Sequence, residues 1–375
     1  MLKVLLTATV QSHICQFHKP LVQMLREHGD VEIHVAAKNN LAEKNGLALD
    51  FVDKVYDVPF SRSPKSLDNI RAYRELKEII DVEKYDIIHC NTPMAGIVTR
   101  LAAIATRKRG TKVIYTAHGF HFYHGAPKIN WIVYYPIEKC FAKLTDTLIT
   151  INDEDYNIAS RKFSCKVEKI HGVGVDSLRY RLPGVSERSE LCEKLQLPEK
   201  NKYILCVGEL LPNKNQKMAI EAMRKLILEI PEAVLLIAGN GPQRDSLVNM
   251  IETYGLQNNV ILLGYCTNLE EYQRMCELSI SCSKREGLGL NLIEAMLSGN
   301  PVIATKNRGH NELVQHNKNG FLVDINDVEN LTFCIKTILN DTSIRDNMRC
   351  FAHTYAQKYN ATKVSEELKK IYFES

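Results

Sequence analysis

Several features that define other classes of protein are missing from this sequence of 375 residues. No apolar run reaches the roughly 18 residues that a membrane-spanning helix needs. The 11 cysteines include no CxxC pair, so neither a disulfide framework nor a cysteine zinc site is indicated. The formal net charge is only +4, which is too small for a dedicated nucleic-acid-binding protein. These absences favour a cytoplasmic protein that is at most peripheral to a membrane.

What the sequence does contain is short apolar runs separated by polar or glycine-containing turns. Most runs are continuously apolar rather than alternating, which is typical of parallel strands buried on both faces. They lie at residues 2–7, 31–36, 85–90, 112–117, 146–151, 203–207, 233–238, 259–264, 278–282, 300–304 and 320–323. Helical periodicity falls between them, at 64–81, 94–107, 215–229, 242–254 and 326–339. We therefore predict an α/β fold of two doubly wound, Rossmann-like parallel-sheet domains facing a cleft.

The βα order is interrupted once, at about residues 173–200, where prolines and charged residues replace the strand pattern. We predict a first domain at 1–175 and a second at 176–350. Residues 351–375 are expected to form a helix that returns toward the first domain. Because doubly wound domains bind ligands at the carboxyl ends of their strands, the loops after strands are the places to look for a site.

The most informative segment, residues 281–302, runs from the end of a predicted strand through a glycine-containing turn into a helix. Gly287 and Gly289 allow the backbone to approach a ligand closely. Free amides at the positive end of the helix suit a diphosphate, and they belong to Leu288, Gly289, Leu290 and Asn291.

Two carboxylates flank this turn. Glu286 precedes the helix and Glu294 lies about one turn into it, so they are placed to contact opposite ends of one ligand, a sugar and a ribose. In the alternative interpretation, Glu286 caps the helix and Glu294 faces solvent. The glycine spacing and the following Gly299-x-Pro301 entry into a strand favour ligand binding.

The stretch from Glu286 to Glu294 resembles the E-x7-E motif of the retaining glycosyltransferases of family 4, whose two-lobed fold is called GT-B. The chain is similar to that family in βα order over nearly its whole length. The resemblance implies a nucleotide-sugar donor held by the second domain. It places Glu286 at the hydroxyls of the donor sugar, the amides of residues 287–291 at the diphosphate and sugar, and Glu294 at the ribose.

A second segment, beginning at Gly208, resembles the family's Gly-Arg-Leu-x-x-x-Lys-Gly loop, in which arginine and lysine neutralise the donor diphosphate. Lys214 keeps the lysine position, although a lone lysine in such a loop is more often a solvated charge. Glu209 stands where arginine is usual and removes one cation. Three nearby cations are candidate replacements: Lys217, Lys284 and Arg285.

Two further turns follow strands of the second domain. Residues 238–242 do not form the GxGxxG pattern, because Arg244 occupies the third glycine position. A tight strand-to-helix turn is therefore the simpler interpretation than a dinucleotide site. Gly264 and Tyr265 lie where the family resemblance implies contact with the nucleotide base, mainly through backbone groups.

The first domain has three histidines at a spacing of three, His118, His121 and His124, in a predicted loop after a strand. No carboxylate lies among them, so we predict no metal ion there, and a structural role is the alternative for any one of them. The resemblance implies that His118 reaches across the cleft to the donor sugar. Ser12, His13 and His121 are candidate residues on the acceptor side.

Residues 126–139 are aromatic and basic and contain the only tryptophan. Such side chains favour a lipid interface, and a helix packed in the core of the first domain is the alternative. With the preceding histidine loop and residues 152–155, this stretch resembles bacterial enzymes of exopolysaccharide and capsule assembly. Those enzymes act on lipid-linked sugars at the cytoplasmic face of the inner membrane.

These resemblances imply a hexosyltransferase that moves a sugar, with retention, from a nucleotide diphosphate sugar to a lipid-linked saccharide, peripherally at the inner membrane. The expected donor is UDP-linked, and no metal or other cofactor is expected. Such a reaction needs positive groups where the diphosphate departs and a polar face beside the developing oxocarbenium ion, for which Lys214 and Glu286 are the candidates. A nucleotide-sugar epimerase and a non-catalytic nucleotide-sugar binder are the alternatives, and Glu209 favours the second.

Overall fold

The computed structural model describes residues 1–43 and 47–374. The chain forms two compact units, one of Met1–Gly174 with Ala361–Ser375 and the other of Val175–Asn360. Each unit is built around one sheet in which every paired strand is parallel. The predicted α/β fold of two Rossmann-like domains is confirmed.

The sheet of the first unit has the strand order β3-β2-β1-β4-β5-β6-β7. Successive strands are added on one side of β1 up to β3 and on its other side from β4 onward, so the strand order reverses between β1 and β4. Its strands are β1 (Leu2–Val10), β2 (Val31–Lys38), β3 (Lys54–Asp57), β4 (Ile87–Asn91), β5 (Lys112–Ala117), β6 (Thr147–Thr150) and β7 (Lys166–Lys169). Sequence patterning missed β3 and β7. Both are short edge strands of mostly polar residues, largely exposed in β3 and largely half-buried in β7, so they carry no apolar run.

Helices cover this sheet and connect its strands. They are α1 (Gln11–Phe17), α2 (Lys19–His28), α3 (Asp68–Glu83), α4 (Pro93–Ala102), α5 (Ile104–Arg107), α6 (Lys128–Phe141) and α7 (Asp153–Lys162). The central strand β1 is fully buried at Val4, Leu5 and Leu6, as a strand covered on both faces must be.

The sheet of the second unit has the order β10-β9-β8-β11-β12-β13 and reverses between β8 and β11. Its strands are β8 (Lys202–Val207), β9 (Ala233–Ala238), β10 (Val260–Gly264), β11 (Leu278–Ser281), β12 (Val302–Thr305) and β13 (Gly320–Val323). The helices are α8 (Glu187–Lys194), α9 (Gln216–Leu226), α10 (Arg244–Thr253), α11 (Leu269–Met275), α12 (Leu290–Leu297), α13 (Arg308–Leu313), α14 (Val328–Asn340) and α15 (Thr342–Ala356).

The end of the chain is divided between the two units. α15 lies in the second unit, and a 3-10 turn at Gln357–Tyr359 separates it from α16 (Ala361–Phe373), which packs on α2 in the first unit. Tyr359 is buried at this turn. The helix that we expected over 351–375 is thus the end of α15 followed by α16.

Among the described residues, no helix combines the length and the apolar character needed to cross a membrane.

Candidate active site

Backbone hydrogen bonds join the loops that follow three neighbouring strands of the second unit. Gly208 N, after β8, donates to Ala238 O at 2.9 Å, and Gly239 N, after β9, donates to Gly264 O at 2.7 Å. Gly239 has a φ of +146°, and a Cβ there would lie 2.1 Å from Gly208 O. Only glycine permits this approach, so the glycines of residues 238–242 bring the two loops together.

The loop after β11 is tied to the loop after β8 in the same way. Lys284 N donates to Asn213 O at 2.8 Å, and Asn213 Nδ2 donates to Arg285 O at 2.9 Å. Asn291 Nδ2, from the first turn of α12, donates to Val207 O at 3.2 Å. The ends of β8 and β11 flank the reversal in strand order, which is where open α/β sheets bind ligands.

Lys214 and Glu286, two of the predicted catalytic residues, form an ion pair at this position. Lys214 Nζ lies 2.6 Å from Glu286 Oε1, and their side chains are 26% and 15% exposed. The stem of Lys214 runs past Gly208, where a Cβ would come within 3.4 Å of Lys214 Cδ. Because the pair is only partly exposed, each charge holds the other in a defined orientation.

The turn before α12 takes its shape from glycine. Gly289 is the N-cap of α12, with a φ of +107°, and Glu286 pairs with Lys214 instead of capping the helix. From the other side, α13 packs so tightly that a Cβ on Gly309 would lie 2.8 Å from both Leu288 N and Leu288 O. The first amides of a helix have no intrahelical partner, so this fixed turn suits an anion.

Glu294 is partly buried, which differs from the alternative in which it faces solvent. Burial raises the pKa of its carboxyl to about 7, opposed by a hydrogen bond from Tyr180 and the charge of Arg179. Arg179 is itself paired with Glu270 at 2.7 Å. Sequence reasoning missed Tyr180 and Arg179 because they lie in the segment without a strand or helix pattern.

The remaining donor-side candidates lie on the surface of the same loops. Glu209 is exposed, and its backbone oxygen accepts a hydrogen bond from Gln216 Nε2 at 3.0 Å. Tyr265 is 48% exposed. Arg308 was not anticipated, and its Nε donates to Glu286 O at 3.4 Å. A cation other than the three named from the sequence therefore lies at the loop that carries Glu286.

In the first unit, the structure brings His13 and His118 together. His13 is in α1, directly after β1, and His118 directly follows β5. Their Nε2 atoms are 3.3 Å apart, and His118 Nε2 is 3.0 Å from Asn91 Oδ1 at the end of β4. His18 lies against both rings, with centroid separations of 5.5 and 6.2 Å. His18 was missed because nothing in its local sequence marks it as part of a site.

The other two acceptor-side candidates have different surroundings. Ser12 is buried, its amide donates to Asn40 Oδ1 and its Oγ accepts from Asn40 Nδ2 at 2.9 Å. His121 stacks on Tyr134 of α6 with ring centroids 4.7 Å apart.

Burial keeps the imidazoles of the histidine cluster, which consists of His13, His18 and His118, neutral. It lowers the pKa of His118 to about 4 and lowers the pKa of His13 and His18 well below the usual value. Each imidazole therefore carries a lone pair on one nitrogen at neutral pH.

Helix α6 has one packed face and one exposed face. Glu138 is buried on the packed face, where its carboxylate accepts from Arg100 Nη2 and from Tyr115 Oη, both at 3.1 Å. The exposed face carries Ile129 and Ile132, which are 60% and 69% exposed. The helix thus combines features of both sequence interpretations, a core contact and an unpaired apolar surface.

Two family models match the chain. Residues 187–354 match "Glycosyl transferases group 1", and residues 3–152 match "Glycosyl transferase 4-like". The chain is 38% identical over 372 residues to "Putative glycosyltransferase EpsD" of Bacillus subtilis, covering 99% of this chain and 96% of that protein.

A second relative and one solved structure add to this similarity. Identity is 27% to the Escherichia coli UDP-Gal:alpha-D-GlcNAc-diphosphoundecaprenol alpha-1,3-galactosyltransferase, over 90% of this chain and 88% of that protein. The crystal structure of Anabaena HepE in complex with UDP and glucose superposes with a TM-score of 0.82 at 21% identity over the whole of both chains. At this identity the structural match supports only the assignment of the fold.

Proposed function

The chain belongs to the group 1 glycosyltransferases, with two Rossmann-like domains of the GT-B type, and on that basis we propose that it transfers a hexosyl unit from a UDP-sugar to a lipid-linked saccharide with retention of configuration. The proposal assigns the chain to exopolysaccharide or capsule assembly. Its second unit holds the donor.

The observation that carries the proposal is the Lys214–Glu286 pair at the ends of β8 and β11, beside the glycine-shaped turn before α12. A departing nucleoside diphosphate needs positive charge and hydrogen-bond donors that are already in position. Lys214 and the amides at the start of α12 meet that need. Arg308 adds positive charge at the loop of Glu286, which offsets the glutamate at position 209.

In the proposed reaction, the bond between the anomeric carbon and the diphosphate oxygen breaks while the acceptor oxygen bonds to that carbon from the same face. The proton of the acceptor hydroxyl passes to the departing phosphate oxygen, so no covalent nucleophile is required. Glu286 contacts the hydroxyls of the donor sugar and stabilises the developing positive charge. Donor activation in this scheme uses Lys214 and helix amides and needs no metal ion.

Recognition of the nucleotide is assigned to the remaining loops of the second unit. Glu294 accepts hydrogen bonds from the ribose hydroxyls, and the backbone at Gly264 and Tyr265 contacts the base. UDP is proposed because the E. coli relative is named for UDP-Gal and the HepE structure contains UDP.

Acceptor binding is assigned to the first unit. The E. coli relative is named for a diphosphoundecaprenol-linked sugar, which supports a lipid-linked acceptor here. We assign His118 to the donor sugar, and Ser12, His13 and His121 to the acceptor side. The exposed apolar face of α6, with Lys128 and Lys139 beside it, suits peripheral binding at the cytoplasmic face of the inner membrane.

The test is transfer from a panel of UDP-hexoses to lipid-linked saccharides, with the anomeric configuration of the product read by NMR coupling constants. We expect an axial donor bond to give an axial product bond. Glu286→Gln and Lys214→Met should each lower kcat by about 100-fold or more, because both act on charge that develops in the transition state. Lys200→Met, at an exposed lysine before the start of β8 and so away from these loops, is the control and should leave kcat within twofold.

Other outcomes would contradict the proposal. An inverted product would refute retention. A UDP-sugar converted to its epimer without acceptor would indicate an epimerase, and UDP-sugar binding without any turnover would indicate a binding protein.

A further inference from the structure

His310, in α13 of the second unit, has a buried ring nitrogen that the protein leaves unpaired. The residue is fully buried, and its Nε2 atom has no hydrogen-bond partner within the described ranges 1–43 and 47–374. Leaving a buried polar atom without a partner costs free energy, so such an atom points to a group that binds there.

The other ring nitrogen fixes the tautomer. His310 Nδ1 lies 2.7 Å from Thr305 O, and a carbonyl oxygen can only accept, so Nδ1 carries the hydrogen. Asn307 Nδ2 is 2.9 Å from Nδ1, but it has Ser283 O as its acceptor at 2.9 Å. Burial lowers the pKa of the imidazole to about 4, which keeps the ring neutral at pH 7. Nε2 therefore has a free lone pair that can accept a hydrogen bond and no hydrogen to donate.

This ring lies against the turn that precedes α12. A Cβ on Gly289 would be 3.5 Å from His310 Cδ2 and 3.8 Å from His310 Nε2. The backbone of the residue is also anchored, because His310 N donates to Asn307 Oδ1 at 3.1 Å. The unpaired nitrogen is thus held at the turn that the proposed function assigns to the donor.

The charged groups around the ring belong to the same site. Glu286 and Lys214 both act on the His310 imidazole, Glu286 favouring its protonation and Lys214 opposing it. The Glu286 carboxylate and His310 Nε2 are both hydrogen-bond acceptors. An ionised phosphate offers only acceptor oxygens and cannot pair with either of them. Two neighbouring acceptors instead suit hydroxyl groups, which a hexose carries on successive carbons.

His353 of the same unit shows the contrast. Its Nδ1 contacts Leu297 O at 2.7 Å, and its Nε2 contacts Gln357 Nε2 at 3.0 Å. Both nitrogens of His353 have partners within the protein, so that histidine calls for no ligand.

We propose that His310 Nε2 accepts a hydrogen bond from a hydroxyl of the donor sugar and so helps to select the donor. The inference rests on the proposed function and adds a specificity-determining residue to it. Glu286 and His310 then bind two hydroxyls of one sugar. A donor that lacks the hydroxyl at His310 leaves the buried nitrogen unpaired and is disfavoured.

An exchange of partners gives the sugar access to this nitrogen. In the structure Nε2 is enclosed, and Lys214 is paired with Glu286. The donor diphosphate carries more negative charge than a carboxylate and attracts Lys214 Nζ, which releases Glu286 for the sugar hydroxyls. The close contacts at Gly289 and Gly309 hold the turn itself, so the exchange requires movement of side chains only.

The experiment compares the UDP-hexose that gives the highest kcat/KM with its monodeoxy analogues, each lacking one hydroxyl, on the full chain. His310→Asn keeps an amide that can donate to Thr305 O and removes the acceptor at the Nε2 position. With the parent donor, this variant should lower kcat/KM about five- to tenfold, the effect of losing one hydrogen bond. With the single deoxy donor that lacks the bound hydroxyl, variant and wild type should have equal kcat/KM.

Two further variants serve as controls. His310→Gln places an amide oxygen near the position of Nε2 and should recover most of the lost kcat/KM with the parent donor. His316→Asn, at an exposed histidine of the same unit, should match the wild type with every donor.

Two results would overturn the inference. A loss by the same factor with every donor would show that His310 has only a structural role, and an unchanged kcat/KM with the parent donor would show that it has none. If His310→Asn does not fold, nitrogen NMR of the wild type labelled at histidine decides. The His310 Nε2 signal should then move to lower frequency with the UDP-hexose and not with UDP, and an unchanged signal would overturn the inference.

Failure of the proposed function gives a different result. UDP-hexose binding without transfer would refute the transferase, and dissociation constants for the same donors would then decide the role of His310. Absence of any UDP-hexose binding would refute both.

Discussion

The two units place polar side chains at equivalent positions, the carboxyl ends of strands beside the reversal in strand order, and yet the two clusters differ in charge. In the second unit, Lys214 and Glu286 form an ion pair beside glycine-shaped turns. In the first unit, burial keeps His13, His18 and His118 neutral. One sheet architecture therefore supports an ionic site suited to a diphosphate and an uncharged site suited to lone-pair donation. The loops, and not the sheets, determine the chemistry.

The units also differ in the interactions that hold the segments around each site in place. In the second unit, close backbone contacts at glycine fix them, whereas in the first unit a buried ion pair anchors α6. Arg100 and Glu138 are both buried, and the Arg100 guanidinium also lies 4.1 Å from the centre of the Tyr115 ring. Mutations that remove one type of support at a time test this contrast.

The largest effect is expected for Glu138→Ala. Removing the carboxylate leaves the Arg100 charge buried without its partner, which costs about 3–5 kcal/mol in the free energy of unfolding. The measurement is urea denaturation, and the transition of the first unit should move. Glu193→Ala, at an exposed position of the second unit, should change stability by no more than about 0.5 kcal/mol. A loss below about 1 kcal/mol in Glu138→Ala would show that the pair does not anchor α6.

The next effect tests the glycine contact of the second unit. Gly239→Ala places a Cβ 2.1 Å from Gly208 O and must displace the loop that leads to Lys214. Calorimetric titration with UDP should show an affinity at least tenfold lower, or about 1.4 kcal/mol. Gly184→Ala is the control, because its nearest neighbour would be 3.7 Å away. Equal UDP affinity in Gly239→Ala and the wild type would show that this loop does not contribute to nucleotide binding.

The sequence was sufficient for the fold because the central strands are continuously apolar. Every predicted strand is present, and the two missed strands, β3 and β7, are polar edges that carry no such signal. The turn from Glu286 to Glu294 was also accessible, since glycines and a carboxylate pair at fixed spacing are local features.

Contacts between residues distant in the sequence were not accessible. The approach of His18 to His118, and of Tyr180 to Glu294, depends on how segments that are distant in the sequence pack together. The three-residue spacing of His118, His121 and His124 gave no indication that His118 meets other histidines. In the structure, His118 meets histidines that follow β1, while His121 stacks on α6.

A smaller effect is expected from the titration of Glu294. Burial raises the pKa of its carboxyl from 4.5 to about 7, so it is largely protonated at pH 6 and largely ionised at pH 8. An ionised carboxylate accepts hydrogen bonds from ribose hydroxyls more strongly, and uridine affinity should therefore rise about three- to tenfold between pH 6 and 8. Uridine is used because it has no phosphate to titrate.

The ionisation of Glu294 has the opposite effect on the stability of the fold: uridine affinity rises with pH, whereas stability falls. Because the pKa in the folded state is raised, the contribution of Glu294 to stability is fully present below about pH 4.5 and is lost as the pH rises through about 7. Glu294→Gln should remove the pH dependence of uridine binding. A wild-type affinity that stays constant over this range would mean that Glu294 does not contact the ribose.

The smallest effect is expected for membrane binding by the exposed face of α6. An exposed lysine of the second unit provides the comparison. If this face lies on an anionic bilayer, Lys139 contributes about 1 kcal/mol, and Lys139→Gln should weaken binding to vesicles containing phosphatidylglycerol about fivefold. Lys200→Gln removes one exposed charge from the second unit and should leave vesicle binding unchanged. Because both variants have the same net charge, equal losses would indicate nonspecific attraction of the whole chain, whereas a loss confined to Lys139 would assign membrane contact to the first unit.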